Sequence, residues 1–216
     1  LFQCYEYLQG ETLAQWLHRQ EKPLNLDEIL PILQQTALAL NAMHRLEMLH
    51  QDIRPKNIMV INAENAMKIK LIDYGSTAVR GLVEINPKNA NRALGTLAFM
   101  APEYFIDHSP SVHSDQFSLA VMAYYLFTKQ LPYGTDLARC NSLKQMKKVQ
   151  YHSIRKYRPD LPIWLDKILG QALSIEPIHR FEALSELIHN LMHPSKELLN
   201  SKPEQSLNEI LYVFGK

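Results

Sequence analysis

Only two cysteines occur in 216 residues, Cys4 and Cys140, far apart and with no partner pair of His or Cys at zinc spacing. Neither a disulfide framework nor a structural zinc site follows from them, and a reducing cytoplasmic setting is the expectation. Charge of one sign is lacking too, since 23 basic and 22 acidic residues leave a formal net charge of +1. No global field draws in nucleic acid or an anionic membrane, so any anion site has to be local. The longest strongly apolar run, Leu119 to Phe127, falls well short of the roughly 20 residues of a membrane helix and predicts a buried core helix instead. Internal repeats, low-complexity tracts and a clear linker are absent. The opening Leu1-Phe2-Gln3-Cys4-Tyr5 has neither an initiator Met nor a signal-peptide pattern, which predicts a piece of a longer protein.

A 46% hydrophobic content in a chain of this length suffices for one domain with a sizeable core. Residues 1 to 7 read as extended, Gln9-Gly10 as a break, and Thr12 as the cap of a short helix over Leu13 to Leu17. Ile29, Ile32, Leu33, Thr36, Ala37, Leu40 and Met43 mark one face of a long helix. Asn25 and Glu28 have capping-box spacing, although Pro31 blurs its start. Ile58 to Ile61 and Met67 to Ile72 flank Asn62-Ala63-Glu64-Asn65, the pattern of a small β-hairpin. Ser76 to Asn91 has no period and reads as a long loop. Four helical segments follow, around Ala101 to Phe105, Asp115 to Phe127, Ile163 to Leu173 and Phe181 to Met192. Helices therefore dominate the second half.

Chemistry concentrates in His50-Gln51-Asp52-Ile53-Arg54-Pro55-Lys56-Asn57, between the long helix and the hairpin, and in Asp73-Tyr74-Gly75 directly after the second strand. Either segment alone is common. In this order and context they match what phosphoryl transfer requires: an acceptor hydroxyl held in line with a γ-phosphate, and positive charge to neutralise its oxygens. Asp52 is placed to orient the hydroxyl and take its proton, Asn57 and Asp73 to hold Mg²⁺ through oxygen, and Arg54 to stabilise the transferring group.

With these residues on hand, essentially the whole sequence resembles the protein kinase family, from the hinge to the last helices. His50 to Asn57 resembles the catalytic loop H-R-D-x-x-x-x-N, Asp73-Tyr74-Gly75 the D-F-G motif, and Gly95 to Glu103 the G-T-x-x-x-M-A-P-E segment that closes the activation loop. Ser114-Asp115-Gln116-Phe117 resembles the start of the buried central helix, whose Asp braces the catalytic loop. Arg180 matches the Arg that pairs with the Glu of A-P-E, here Glu103. The resemblance implies a bacterial, eukaryotic-like Ser/Thr kinase that uses ATP and Mg²⁺ on a protein substrate. It implies a mainly α fold (α+β overall), the kinase C-terminal lobe with a buried central helix and small β-hairpins at the nucleotide edge. Residues 1–193 would be hinge and lobe, and 194–216 a C-terminal extension docking on it. Backbone groups of Glu6 and Leu8 would bond adenine, Met59 would lie beneath its ring, and Glu11 would stand near the ribose.

Departures carry information as well. Gln51 replaces the usual Arg of the catalytic loop, so loop phosphorylation loses its counter-charge and activity independent of it is expected. Arg54 stands for the commoner Lys, a planar fork for a point cation, and Tyr74 for Phe. Arg54 and Thr96 favour Ser/Thr acceptors, while Lys56 blurs that preference. These 216 residues contain no glycine-rich loop, strand lysine or helix glutamate, so by themselves they are expected to be nearly inactive. The apolar Leu207 to Phe214, after His193-Pro194, resembles bacterial proteins in which a kinase domain follows a phosphatase domain of the metal-dependent PP2C type.

Two rival functions remain at the level of sequence. A small-molecule phosphotransferase of kinase-like fold would lack the A-P-E segment, and a pseudokinase binding module is opposed by the intact Asp52, Asn57 and Asp73. His189 and His193 sit at i, i+4 without a third ligand, and Lys144, Lys147, Lys148, Arg155, Lys156 and Arg158 read as a wet surface.

Overall fold

The computed structural model describes residues 6–63, 66–79, 97–106 and 109–200. Helix α1 (Leu13–His18) begins at a complete capping box. Gln15 N donates to Thr12 Oγ1 at 3.2 Å, and Thr12 N donates to Gln15 Oε1 at 2.9 Å. Asn25 and Glu28 do the same for α2 (Leu26–Arg45), at 3.0 and 2.9 Å. All seven residues expected on the inner face of α2 are buried. Pro31 lies inside the second turn. It is exposed, and so is Asp27, whose carbonyl loses its i+4 donor and can be hydrated instead.

The core is organised around α3 (Val112–Thr128), in which all but four of 17 residues are buried. Such a helix has no solvent face to leave polar, which is why Leu119 to Phe127 shows no amphipathic period. Ser111 caps it with Ser114 as reciprocal partner. Helix α2 packs on α3, on α6 (Leu184–Met192) and on the hairpin. Helix α5 (Ile163–Ala172) packs on α3, α6 and the short α7 (Lys196–Leu199). A further single turn, α4, spans Leu143–Met146. No helix among the described residues is long and apolar enough to cross a membrane.

Two small antiparallel sheets lie along one edge of this body. The first has the order β1 (Glu11–Thr12), β3 (Ile58–Ala63), β4 (Ala66–Leu71), with Ile58 opposite Leu71 and Glu11 opposite Val60. The second pairs β2 (Met48–Leu49) with β5 (Ala78–Val79). The hairpin is longer than the sequence suggests. Its ladder runs through Ala63 opposite Ala66, so the connection shrinks to residues 64–65.

Two other expectations shift. The segment at Ala101 to Phe105 is a 3₁₀ turn over Pro102–Phe105 rather than an α-helix. The last long helix starts at Leu184 instead of Phe181, because Phe181 is buried and its carbonyl accepts from Gln116 Nε2 at 3.0 Å. Residues 1–5, most of the long loop from 80, Gly95, Thr96 and the tail from 201 lie outside the described residues.

Gly10 sits where β1 meets β3 so closely that a Cβ on it would lie 2.3 Å from the Val60 carbonyl oxygen. Gly10→Ala must push backbone against backbone. It is expected to destabilise the chain by about 1–3 kcal/mol in chemical denaturation.

Candidate active site

The loop 50–57 is clamped to the central helix through one carboxylate. Asp115, fully buried in the first turn of α3, accepts from His50 N at 3.0 Å and from Gln51 N at 2.9 Å. His44 Nε2, in the last turn of α2, lies 2.9 Å from the same carboxylate. The clamp offsets the strain of Gln51, a non-glycine residue held at φ 65°. Asp52 N donates to His50 Nδ1 at 3.3 Å, which assigns the imidazole proton to Nε2. Burial keeps the His50 pKa below its ordinary value, against the opposing pull of Asp115, Asp52, the Ile72 backbone and Asp73. The imidazole is thus a neutral spacer near the carboxylates of Asp52, Asp73 and Asp115.

Asn57, buried in a 3₁₀ turn at the mouth of the hairpin, locks the other end of the loop. Its Nδ2 donates to the Asp52 carbonyl at 2.9 Å and to Asp52 Oδ2 at 2.7 Å. With both amide hydrogens directed at Asp52, Oδ1 is the oxygen left for a cation. Arg54 Nε stands 3.8 Å from Asp52 Oδ1.

The hairpin brings the second motif to the same place. Ile72 N donates to Asn57 O at 2.9 Å, continuing the β3–β4 ladder by one step, so Asp73 follows in sequence directly after the residue bonded to Asn57. Asp73 is exposed, holds a left-handed backbone (φ 64°, ψ 72°), and accepts from Gly75 N at 3.3 Å. Tyr74 stacks at a tilt on His50, 5.7 Å between ring centroids, and its hydroxyl donates to the Leu71 carbonyl at 3.1 Å. The aromatic therefore ties the two motifs together.

Asn57 Oδ1 and the exposed Asp73 carboxylate are hard oxygen donors of the kind that Mg²⁺ prefers. Among the described residues no group of three or more His, Cys, Asp or Glu surrounds a common point. Two protein oxygens with the rest supplied by water and phosphate is the usual manner of Mg²⁺ binding.

At the expected nucleotide edge, the Glu6 side chain is engaged by Lys70 Nζ at 2.7 and 2.8 Å, leaving the backbone of residues 6 to 8 for any ligand. Leu8 is half-buried. Met59 is half-buried on the face of β3 opposite the buried Ile58 and Val60. Glu11 is taken up by Arg19.

The other pillar is a buried ion pair. Arg180 meets Glu103 through two parallel bonds of 2.9 Å, with both side chains almost wholly buried. It also donates to the carbonyls of His113, Ser174 and Ile175 and lies 4.8 Å over the Phe117 ring. Ser114 Oγ donates to Glu103 at 2.6 Å. Burial alone would raise the Glu103 carboxyl, but Arg180 and Ser114 together outweigh it and hold it below the ordinary range. This pair fixes the 3₁₀ turn at Pro102–Phe105 to the helical body.

The residue model of the protein kinase domain matches residues 1–195. The chain belongs to the protein kinase domain family. Among curated relatives of this kinase domain, the serine/threonine-protein kinase PrkC of Bacillus subtilis is 26% identical over 182 residues, covering 84% of this chain and 27% of that protein. Serine/threonine-protein kinase pkn3 of Myxococcus xanthus is 30% identical over 215 residues, covering 96% of this chain and 39% of that protein. The chain thus spans well under half the length of these relatives. The crystal structure of the Mycobacterium tuberculosis PknI kinase domain superposes with a TM-score of 0.65 at 25% identity, covering 87% of this chain and 63% of that one.

Sequence reasoning missed the roles of His44 and Ser114 in this kinase domain. Their signal is only positional, one in the last turn of α2 and one beside Asp115. Of the basic cluster, Arg155 and Arg158 bind backbone carbonyls and Lys147 pairs with Glu176 at 2.6 Å. The His189 and His193 rings lie 5.2 Å apart.

Proposed function

We propose that the chain carries the catalytic and metal-binding half of a protein kinase that transfers the ATP γ-phosphate to Ser or Thr hydroxyls of a protein substrate. The observation that supports this best is the 2.7 Å bond from Asn57 Nδ2 to the Asp52 carboxylate, with Asp73 next along the hairpin ladder. Asp52 is then oriented to accept the proton of an incoming hydroxyl as its oxygen bonds the γ-phosphorus and the bond to ADP breaks. Arg54, 3.8 Å from Asp52, lies close enough to offset charge on the transferring group. Mg²⁺, held by Asn57 and Asp73, would neutralise phosphate charge when bound. Backbone groups of Glu6 and Leu8, with Met59 beneath, would receive the adenine. ATP as donor implies a cytoplasmic site of action.

The Glu103–Arg180 pair favours a protein substrate over a small alcohol, because it fastens the segment on which a peptide would dock. The 216 residues include no glycine-rich loop or phosphate-binding lysine, so full turnover would require a longer chain that supplies both. With such a chain, γ-labelled ATP and Mg²⁺, label is expected on Ser and Thr of protein substrates. Asp73→Asn is expected to raise the Mg²⁺ requirement at least tenfold. Label on small alcohols alone, or an unchanged Mg²⁺ requirement, would count against the proposal.

A further inference from the structure

The loop that carries Asp52 presents one cation for which the proposed reaction has no use. Lys56 is exposed, although both of its chain neighbours, Pro55 and Asn57, are buried. The turn that holds it is fixed at two points, because Asn57 N donates to the Arg54 carbonyl at 2.9 Å and Asn57 Nδ2 to Asp52 Oδ2 at 2.7 Å. These bonds fold the loop back on itself, so the Lys56 Cα stays within about 10 Å of the Asp52 carboxylate. The ammonium, on a flexible four-carbon stem, can sweep the space around that rim.

Nothing nearby neutralises it. The turn packs against β1 and α1, whose charged groups are Glu11 and His18, with Arg19 capping the end of α1. Glu11 is taken up by Arg19, and His18 and Arg19 are themselves exposed. Of the two carboxylates of the site, Asp52 is bonded by Asn57 and faces Arg54, and Asp73 accepts from Gly75 N. Among the described residues no carboxylate forms an ion pair with Lys56.

An acceptor residue poised at Asp52 brings its own chain neighbours toward this cation. In an extended peptide, residues two or three positions from the acceptor lie about 7–10 Å from it, a span that matches the separation of Lys56 from Asp52. A carboxylate at such a position gains a charge pair, and a lysine or arginine there meets like charge. We infer that Lys56 is a specificity-determining residue, selecting protein segments that carry Asp or Glu close in sequence to the acceptor Ser or Thr. The inference rests on the proposed transfer to protein hydroxyls and gives that transfer a substrate class.

Matched serine peptides with Asp, Ala or Lys placed in turn at each position flanking the acceptor test it, using γ-labelled ATP, Mg²⁺ and a longer chain that supplies the glycine-rich loop and lysine. At the responsive positions the aspartate peptides are expected to exceed the alanine peptides by about fivefold in kcat/KM, the upper range for an exposed charge pair, with the difference carried by KM. The lysine peptides are expected to be the poorest. Lys56→Glu is expected to invert this order and Lys56→Arg to keep it, with an unchanged melting temperature verifying the fold of each. Lys56→Ala, expected to level the three peptide series, provides the same test should the charge reversal disturb folding. Labelling that ignores flanking charge, or a preference for aspartate that survives Lys56→Glu, would overturn the inference and leave the catalytic reading standing. Absence of label on every peptide and protein offered would overturn both.

Discussion

Asp52→Asn is expected to lower turnover by about 10²–10⁴-fold while nucleotide affinity stays within about threefold. The asparagine carbonyl can still accept from Asn57 Nδ2, which now donates to Asp52 Oδ2 at 2.7 Å, so the loop keeps its shape. What disappears is the anionic oxygen proposed to take the hydroxyl proton, together with the charge facing Arg54 at 3.8 Å. Under the proposed function, binding of Mg²⁺ and nucleotide would rest on other groups, Asn57 and Asp73. Measuring kcat and nucleotide affinity separately distinguishes the two contributions. A variant that turns over at the parent rate would show that Asp52 is not the base.

Arg180→Ala is expected to cost about 3–5 kcal/mol in denaturant unfolding, because it leaves the Glu103 carboxylate buried without its partner. The carbonyls of His113, Ser174 and Ile175 lose a donor in the same step. A double variant, Glu103→Leu with Arg180→Met, is expected to recover part of the loss, since burying two apolar groups avoids the stranded charge. The pH dependence supplies a second readout. In the parent chain Glu103 titrates below its ordinary 4.5, so its contribution to stability is complete above that value and fades as pH falls through the lower folded pKa. In Arg180→Ala burial acts without the opposing cation and raises the carboxyl. The sign then reverses, and stability declines as pH rises. An acid limb identical in the two proteins would refute the role given to the pair.

Local signals were readable wherever they depend on neighbours a few residues away. Thr12 with Gln15, and Asn25 with Glu28, form capping boxes because both partners lie within one turn. The hairpin strands showed themselves by alternation, with Lys68 and Lys70 exposed between half-buried Met67 and Ile69. Elements stabilised from a distance were not readable. Two-residue strands such as Met48–Leu49 and Ala78–Val79 exist only because they pair with each other. Phe181 stays out of the helix that follows it because Gln116, 65 positions away, binds its carbonyl. Pro102–Phe105 tightens into a 3₁₀ turn while its Glu103 is held by Arg180.

The same division runs through the candidate site. Residue order alone pointed to the proposed chemistry, since two carboxylates, an amide and their flanking Arg54 suit phosphate and a hard cation in whatever frame carries them. It also specified the apolar spacing of the helices, which burial must follow. Folding was needed to choose partners: His44 for Asp115, Ser114 for Glu103, and the step of ladder that joins Ile72 to Asn57. Hydrogen bonds and ion pairs act over about 3 Å, and a linear pattern cannot say which distant groups come within that range until the core has packed.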